Sequence, residues 1–119
     1  MRIFGILLGA GAVAMAGGQM LLTPIQPHTY PSPSGAFRLW VNPDEPYGDG
    51  GATYSLAIGT TKLWTKHLAF TLTGVKVGDD GKWAGLSTGN LVRNPKLRVV
   101  LADRAGNMLL DELHDQHPG

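Results

Sequence analysis

Residues 70–87, FTLTGVKVGDDGKWAGLS, carry the pattern that decides the fold class. Residues 70–77 read as an extended segment, with Gly74 expected as a bulge. Asp79-Asp80-Gly81 follows, and Asp-Gly supplies the positive φ that a tight hairpin turn needs. Residues 82–87 (KWAGLS) then read as the returning strand.

The same grammar extends in both directions. Pro33-Ser34-Gly35 reads as a turn, and residues 36–42 (AFRLWVN) as the strand after it. Residues 43–51 (PDEPYGDGG) form a polar Gly/Pro-rich loop. Residues 52–58 are a strand, 59–61 a turn and 62–66 a strand. Residues 88–96 read as a loop, 97–102 as a strand, 103–107 as a turn and 108–113 as a strand. The only segment with a helical pattern is the tail from Leu109, and it is too short to stand alone. Seventeen glycines and eight prolines in 119 residues agree with short strands joined by many turns.

These pieces occur twice in one order. Gly35 and Gly81 end equivalent turns, the strand from Ala52 matches the strand from Leu97, and Leu63 matches Met108. Trp83 matches Phe37, which marks it as core. The period is about 45 residues, with four short strands per unit. The Pro-rich residues 22–30 supply the first unit's counterpart to residues 72–77. In residues 36–42, Phe37, Leu39 and Val41 share one face while Trp40 lies on the other. Residues 97–102 are mostly apolar on both faces, as in a sheet covered on both sides.

Ser32-Pro33-Ser34-Gly35 and Gly78-Asp79-Asp80-Gly81 stand where bacterial β-propeller repeats of the YVTN and WD40-like kind carry an S-P-D-G turn. Over most of residues 30–113 the chain resembles that family, with Ser34 where Asp is usual and no closing Trp-Asp pair. The resemblance implies an all-β fold of two four-stranded antiparallel blade-like units, residues 35–73 and 74–113. It transfers no functional residues, because propellers host many activities. Natural propellers have about 4–8 blades. Two units therefore imply a fragment of a larger propeller, several copies in a ring, or a two-sheet sandwich. The first is the preferred expectation.

The N-terminus points to export. Met1-Arg2 is followed by IFGILLGAGAVAMA, residues 3–16, without a charge. That run is shorter than the roughly 20 residues of a membrane-spanning helix. Ala14-Met15-Ala16 fits a signal-peptidase site, so cleavage after Ala16 is expected, with Ala12-Val13-Ala14 as a second site. A buried core helix and an uncleaved N-terminal anchor are the alternatives. The expected organisation is signal peptide 1–16, Pro-rich extended lead-in 17–34, the two repeats, and a tail 114–119. The destination is periplasmic or extracellular, and the membrane is touched only through an uncleaved signal.

Removing residues 1–16 leaves 103 residues, with nine basic and nine acidic side chains. A neutral chain without a basic cluster argues against nucleic acid. With no cysteine there is neither a disulfide nor a thiolate.

No catalytic motif stands out, and no cofactor or metal is expected. Ser32, Ser34, Ser55 and Ser87 occur with His28 and His67, but no G-x-S-x-G elbow is present. His114 and His117 would share a side with Asp111 on a helix, yet a solvated terminus explains them. Asp79, Asp80, Asp44, Glu45 and Asp49 could offer oxygens to calcium, but turn roles account for them and no D-x-D-x-D-G loop exists. Trp40, Trp64, Trp83, Tyr47 and Tyr54 could form an aromatic platform, although strand aromatics are more often core.

The expectation is an exported binding or structural module, with a protein or glycan ligand. The alternative is the N-terminal part of a propeller-scaffold enzyme whose catalytic residues lie outside the chain. A third reading is a self-associating envelope protein. Loops 43–51 and 88–96 are equivalent and fall on one edge, which marks Tyr47, Asp49, Asn90 and Arg93 as the binding candidates.

Overall fold

The computed structural model describes residues 13–16, 19–22, 24–90 and 94–115. All regular structure in them is β. A hairpin of β1 (Val13–Ala16) and β2 (Gln19–Leu22) comes first. The first sheet is an antiparallel meander of β3 (His28–Pro31), β4 (Phe37–Pro43), β5 (Ala52–Ile58) and β6 (Thr61–Leu68). The second is a meander of β7 (Gly74–Val77), β8 (Trp83–Asn90), β9 (Asn94–Ala102) and β10 (Met108–Asp115). Among the described residues no helix is long and apolar enough to cross a membrane. Most of the uncharged stretch 3–16, namely residues 3–12, lies outside them.

The first sheet begins earlier than residue 35, because β3 falls inside the Pro-rich lead-in and pairs with β4. Gly74 is not a bulge; it opens β7 opposite Leu86. Residues 88–96 are mostly strand, since β8 runs to Asn90 and β9 starts at Asn94. The tail from Leu109 is strand β10, because its apolar residues find partners along β9. His114 and Asp115 belong to that strand.

Three turns share one construction. Gly35, Gly81 and Gly106 donate their N–H groups to Ser32, Gly78 and Asp103, and all three glycines have positive φ. Glycine is required at Gly81 for a second reason. A Cβ there would press on the Phe37 ring and the Arg104 side chain.

The pairing register makes the two sheets equivalent strand by strand. Arg38 pairs with Ala57, and 45 residues on Trp83 pairs with Ala102. Leu39–Leu56 and Val41–Tyr54 correspond in the same way to Ala84–Leu101 and Leu86–Val99. Both sheets carry a bulge between their third and fourth strands: the pairing skips Leu63 in β6 and Leu109 in β10. The structural partner of Trp83 is therefore Arg38, one residue from the Phe37 that the turn spacing suggests. The first turn has one more residue than the second.

This register fixes how the sheets meet. The first sheet presents Leu39, Val41, Tyr54 and Leu56, all buried, to the core. We call this side its front. The second sheet presents Trp83, Gly85, Val100 and Ala102, which lie on the opposite, back side. Front thus packs on back, a head-to-tail stacking of equivalent sheets. At its centre Trp83 stacks on Tyr54, with ring centroids 6.2 Å apart and planes 12° apart, and Trp64 lies 6.3 Å away. The Trp83 indole N–H is buried without a partner, so the ring is held by apolar packing alone.

Polar contacts lock the stack. The Tyr54 hydroxyl donates to Phe70 O at 2.6 Å and accepts from Leu72 N at 2.8 Å, tying the first sheet to the link that leads into β7. Burial pushes its phenol far above the usual range. Trp64 Nε1 donates to Arg104 O at 2.8 Å, and the Arg104 guanidinium lies 4.8 Å from the Phe37 ring centroid. The equivalent turns touch each other, because Asp79 Oδ1 accepts from Ser34 N at 3.0 Å and from Ser34 Oγ at 2.7 Å.

Tyr54→Phe would strand a buried N–H and a carbonyl. Unmet buried groups cost about 1–3 kcal/mol each. We expect a lower denaturant midpoint, with the slope unchanged, in urea unfolding followed by tryptophan fluorescence. A pH dependence also follows. The Ser34 hydroxyl and N–H hold the Asp79 carboxyl below its ordinary range, and hydrogen bonds led by the Asn107 N–H do so for Asp103. Their stabilisation is complete above the unfolded carboxylate value, about pH 4. It is lost as pH falls through the depressed folded values. Melting temperatures between pH 7 and pH 3 should fall more for the wild type than for Asp79→Asn.

Candidate functional site

The loop at residues 44–51 is shaped by its own acid. Glu45 Oε1 accepts from Tyr47 N at 2.8 Å and from Asp49 N at 2.7 Å. At the base of the loop Asp44 N donates to Gly51 O, and Asp44 Oδ2 lies 2.6 Å from His67 Nε2. Thr71 Oγ1 donates to the carbonyls of Gly50 and Gly51 at 3.0 and 3.1 Å. Glycine is needed at Gly51, where a Cβ would collide with the Leu68 carbonyl.

The loop therefore hangs over the end of the inter-sheet seam and closes one side of a cleft of about 180 Å³. Gly48, Asp49 and Gly50 line it from the first sheet's loop, and Phe70 and Thr71 from the link between sheets. The second sheet supplies Ser87 from β8, Lys96 and Arg98 from β9, and Leu113 from β10. Arg98 is held firmly within this lining. Its guanidinium lies 4.5 Å from the Phe70 ring centroid and bonds Asp111 Oδ1 at 2.6 Å. A stacked, paired guanidinium is preorganised and loses little freedom when a ligand binds.

The cleft takes up only part of the sequence-derived set. Asp49 lines it. Tyr47 is 43% exposed on the same loop and outside the lining. Asn90 ends β8 opposite Asn94 of β9, so it belongs to a strand rather than to the expected loop. Arg93 lies outside the described residues. Phe70, Thr71, Lys96 and Arg98 are the cleft residues that sequence reasoning missed. Residues 70–77 read as one strand, which concealed that 69–73 form the bridge under the loop.

The other candidates resolve into structural roles. Asp111 and His114 fall on opposite faces of β10, with Asp111 on Arg98 and His114 Nε2 3.2 Å from Glu112. The helical metal arrangement is thereby removed, and His117 lies outside the described residues. Among the described residues no group of three metal-capable side chains occurs. Asp80 accepts from Lys82 N, and Asp79, Asp44 and Glu45 are engaged as above. Ser55 Oγ lies 2.9 Å from Thr65 Oγ1, and His67 sits against Asp44 rather than a serine. Of the aromatic set, Trp83 and Tyr54 are core, Trp64 is half-buried, and Trp40 faces solvent on the back of the first sheet.

The cleft lining gathers groups that can hold a ligand. It offers two cations, loop backbone and an aromatic edge. Glu45→Ala should free the loop without unfolding the sheets. Amide exchange at Tyr47 and Asp49 should speed up by about tenfold or more, the equivalent of losing roughly 1.4 kcal/mol of hydrogen bonding, while Leu56 and Val100 stay protected. Comparison with protein-family models, with curated proteins and with solved structures finds no match to this chain.

Proposed function

We propose that the chain is an exported β-rich binding module built from two propeller-blade-like units, with its ligand site in the cleft under loop 44–51. The observation that carries this reading is the convergence of that loop with β8, β9 and β10 across the sheet seam. Loops on a rigid sheet scaffold are common binding elements. Head-to-tail stacking of two four-stranded meanders supports the blade-like description.

The ligand is a protein segment or glycan that brings a carboxylate or a set of hydroxyls. Lys96 attracts the acidic group, the Gly48 and Gly50 backbone meets hydroxyls, and Phe70 offers an apolar edge. Delivery rests on the uncharged residues 3–16 and the A-x-A site at Ala14-Met15-Ala16.

The test has two parts. Residues 1–23 fused to a phosphatase that is active only outside the cytoplasm should give active enzyme, and an inactive fusion would contradict export. Titrating the labelled chain with acidic and neutral oligosaccharides and short acidic peptides should move the amide signals of Gly48, Gly50, Thr71 and Ser87. Lys96→Ala combined with Phe70→Ala should weaken that response at least about tenfold. Unmoved cleft signals across both probe classes would contradict the site.

A further inference from the structure

We infer that the exposed front of the second sheet is an interface for a second copy of this chain, docked by the back of its first sheet. The inference starts from the register. The front residues Leu39, Val41, Tyr54 and Leu56, all buried, and the half-buried Trp64 have as equivalents Ala84, Leu86, Val99, Leu101 and Leu110. Every one of these is apolar, yet Leu86 is 45% exposed, Leu101 38% and Leu110 39%. The second sheet thus repeats the chemistry of the face that the first sheet buries, and leaves it uncovered. Contiguous exposed apolar patches of this kind mark interaction surfaces.

The front of the second sheet also has a receiving shape. Gly74 and Ala84 stand where the first sheet has His28 and Leu39. With Leu86 and Val99 they border an apolar groove of about 450 Å³ at the β7 edge, which Tyr30 of the first sheet, Val75, Lys76 and Gly85 complete. The back of the first sheet offers a knob. Trp40 is 37% exposed at the position that Gly85 holds in the second sheet. Inside the chain the back of one sheet already covers the front of its equivalent. Repeating that stacking between copies turns the face that carries Trp40 toward the apolar front of Ala84, Leu86 and Leu101.

Charge fits the same alignment. Arg38 occupies the place of Trp83, which lies against Tyr54 and Trp64. The equivalents of those two residues are Val99 and Leu110. Lys66, which lies over Trp64 and beside turn 103–106, has Glu112 as its equivalent. The matching turn in the first sheet contains Gly59, whose carbonyl accepts from the Arg38 guanidinium. Copy-to-copy stacking therefore brings Glu112 to Arg38. One operation covers the apolar front and the protruding Trp40 together, which is why a second copy is the occupant.

The contact is heterologous, so it extends as a closed ring or an open chain of copies. A ring of about four to eight sheets would take two to four copies. Light scattering of the purified full chain should give a mass of at least two copies. Leu86→Glu and Trp40→Glu change exposed residues and should each leave the far-UV spectrum unchanged while reducing the mass to one copy. Mixing the two variants should restore a 1:1 dimer, because each keeps the face the other has lost. A monomeric wild type would overturn the proposal, as would a mixture that stays monomeric. It would also fall if Trp40→Glu left the assembly intact while Leu86→Glu broke it, since that pattern belongs to a front-to-front dimer or to a different partner for the front. Ligand titration of the cleft is read separately, and its failure leaves this outcome unaffected.

Discussion

The structure depends on the stack of Trp83 on Tyr54. A four-stranded sheet of this size cannot bury enough apolar surface alone, and the chain has no cysteine from which to build a disulfide. The two sheets are stable only against each other, and the two rings are where they meet most closely. The Tyr54 hydroxyl extends that contact into the bridge under the cleft by bonding Phe70 and Leu72. Trp64 extends it to turn 103–106. Core, bridge and cleft therefore share one anchor, and the position of Phe70 beneath Arg98 follows from the seating of Tyr54.

Head-to-tail stacking makes the molecule directional. In a two-fold sandwich, equivalent faces meet and the two faces left outside are equivalent too. Here the front of one sheet meets the back of the next, so one front and one back remain. The remaining front is apolar while the remaining back carries Arg38, Asn42, Ser55 and Thr65 around Trp40. The cleft sits at the end of the seam, away from both faces. The proposed binding cleft and the proposed assembly faces are thus separate surfaces of one scaffold.

Much of the fold was legible from turn chemistry and strand period. Gly35, Gly81 and Gly106 each sit at a positive-φ turn position, and Phe37, Leu39 and Val41 alternate inward with Trp40 outward. The presence of two four-stranded sheets was legible because turns and strands recur in one order along the chain. Their fine register was not. One extra residue in the first turn shifts Phe37 away from the Trp83 position, and hydrogen bonding rather than spacing decides equivalence. Strand ends failed where polar residues pair: Asn90 and Asn94 read as loop but close a hairpin. The cleft was half legible. Asp49 lay in a Gly-rich loop that announces itself, whereas Lys96 and Arg98 are ordinary strand residues that become site residues only when the second sheet folds under the loop.

The most direct test of the head-to-tail stack is a set of nuclear Overhauser contacts from the Trp83 indole in solution. Contacts to the Tyr54 and Trp64 rings, in a chain whose Val99 and Leu86 methyls show none to Tyr54, are the predicted result. Contacts from Tyr54 to Leu86 and Val99 instead, with Trp83 remote from it, would mean that equivalent faces meet and would contradict the account.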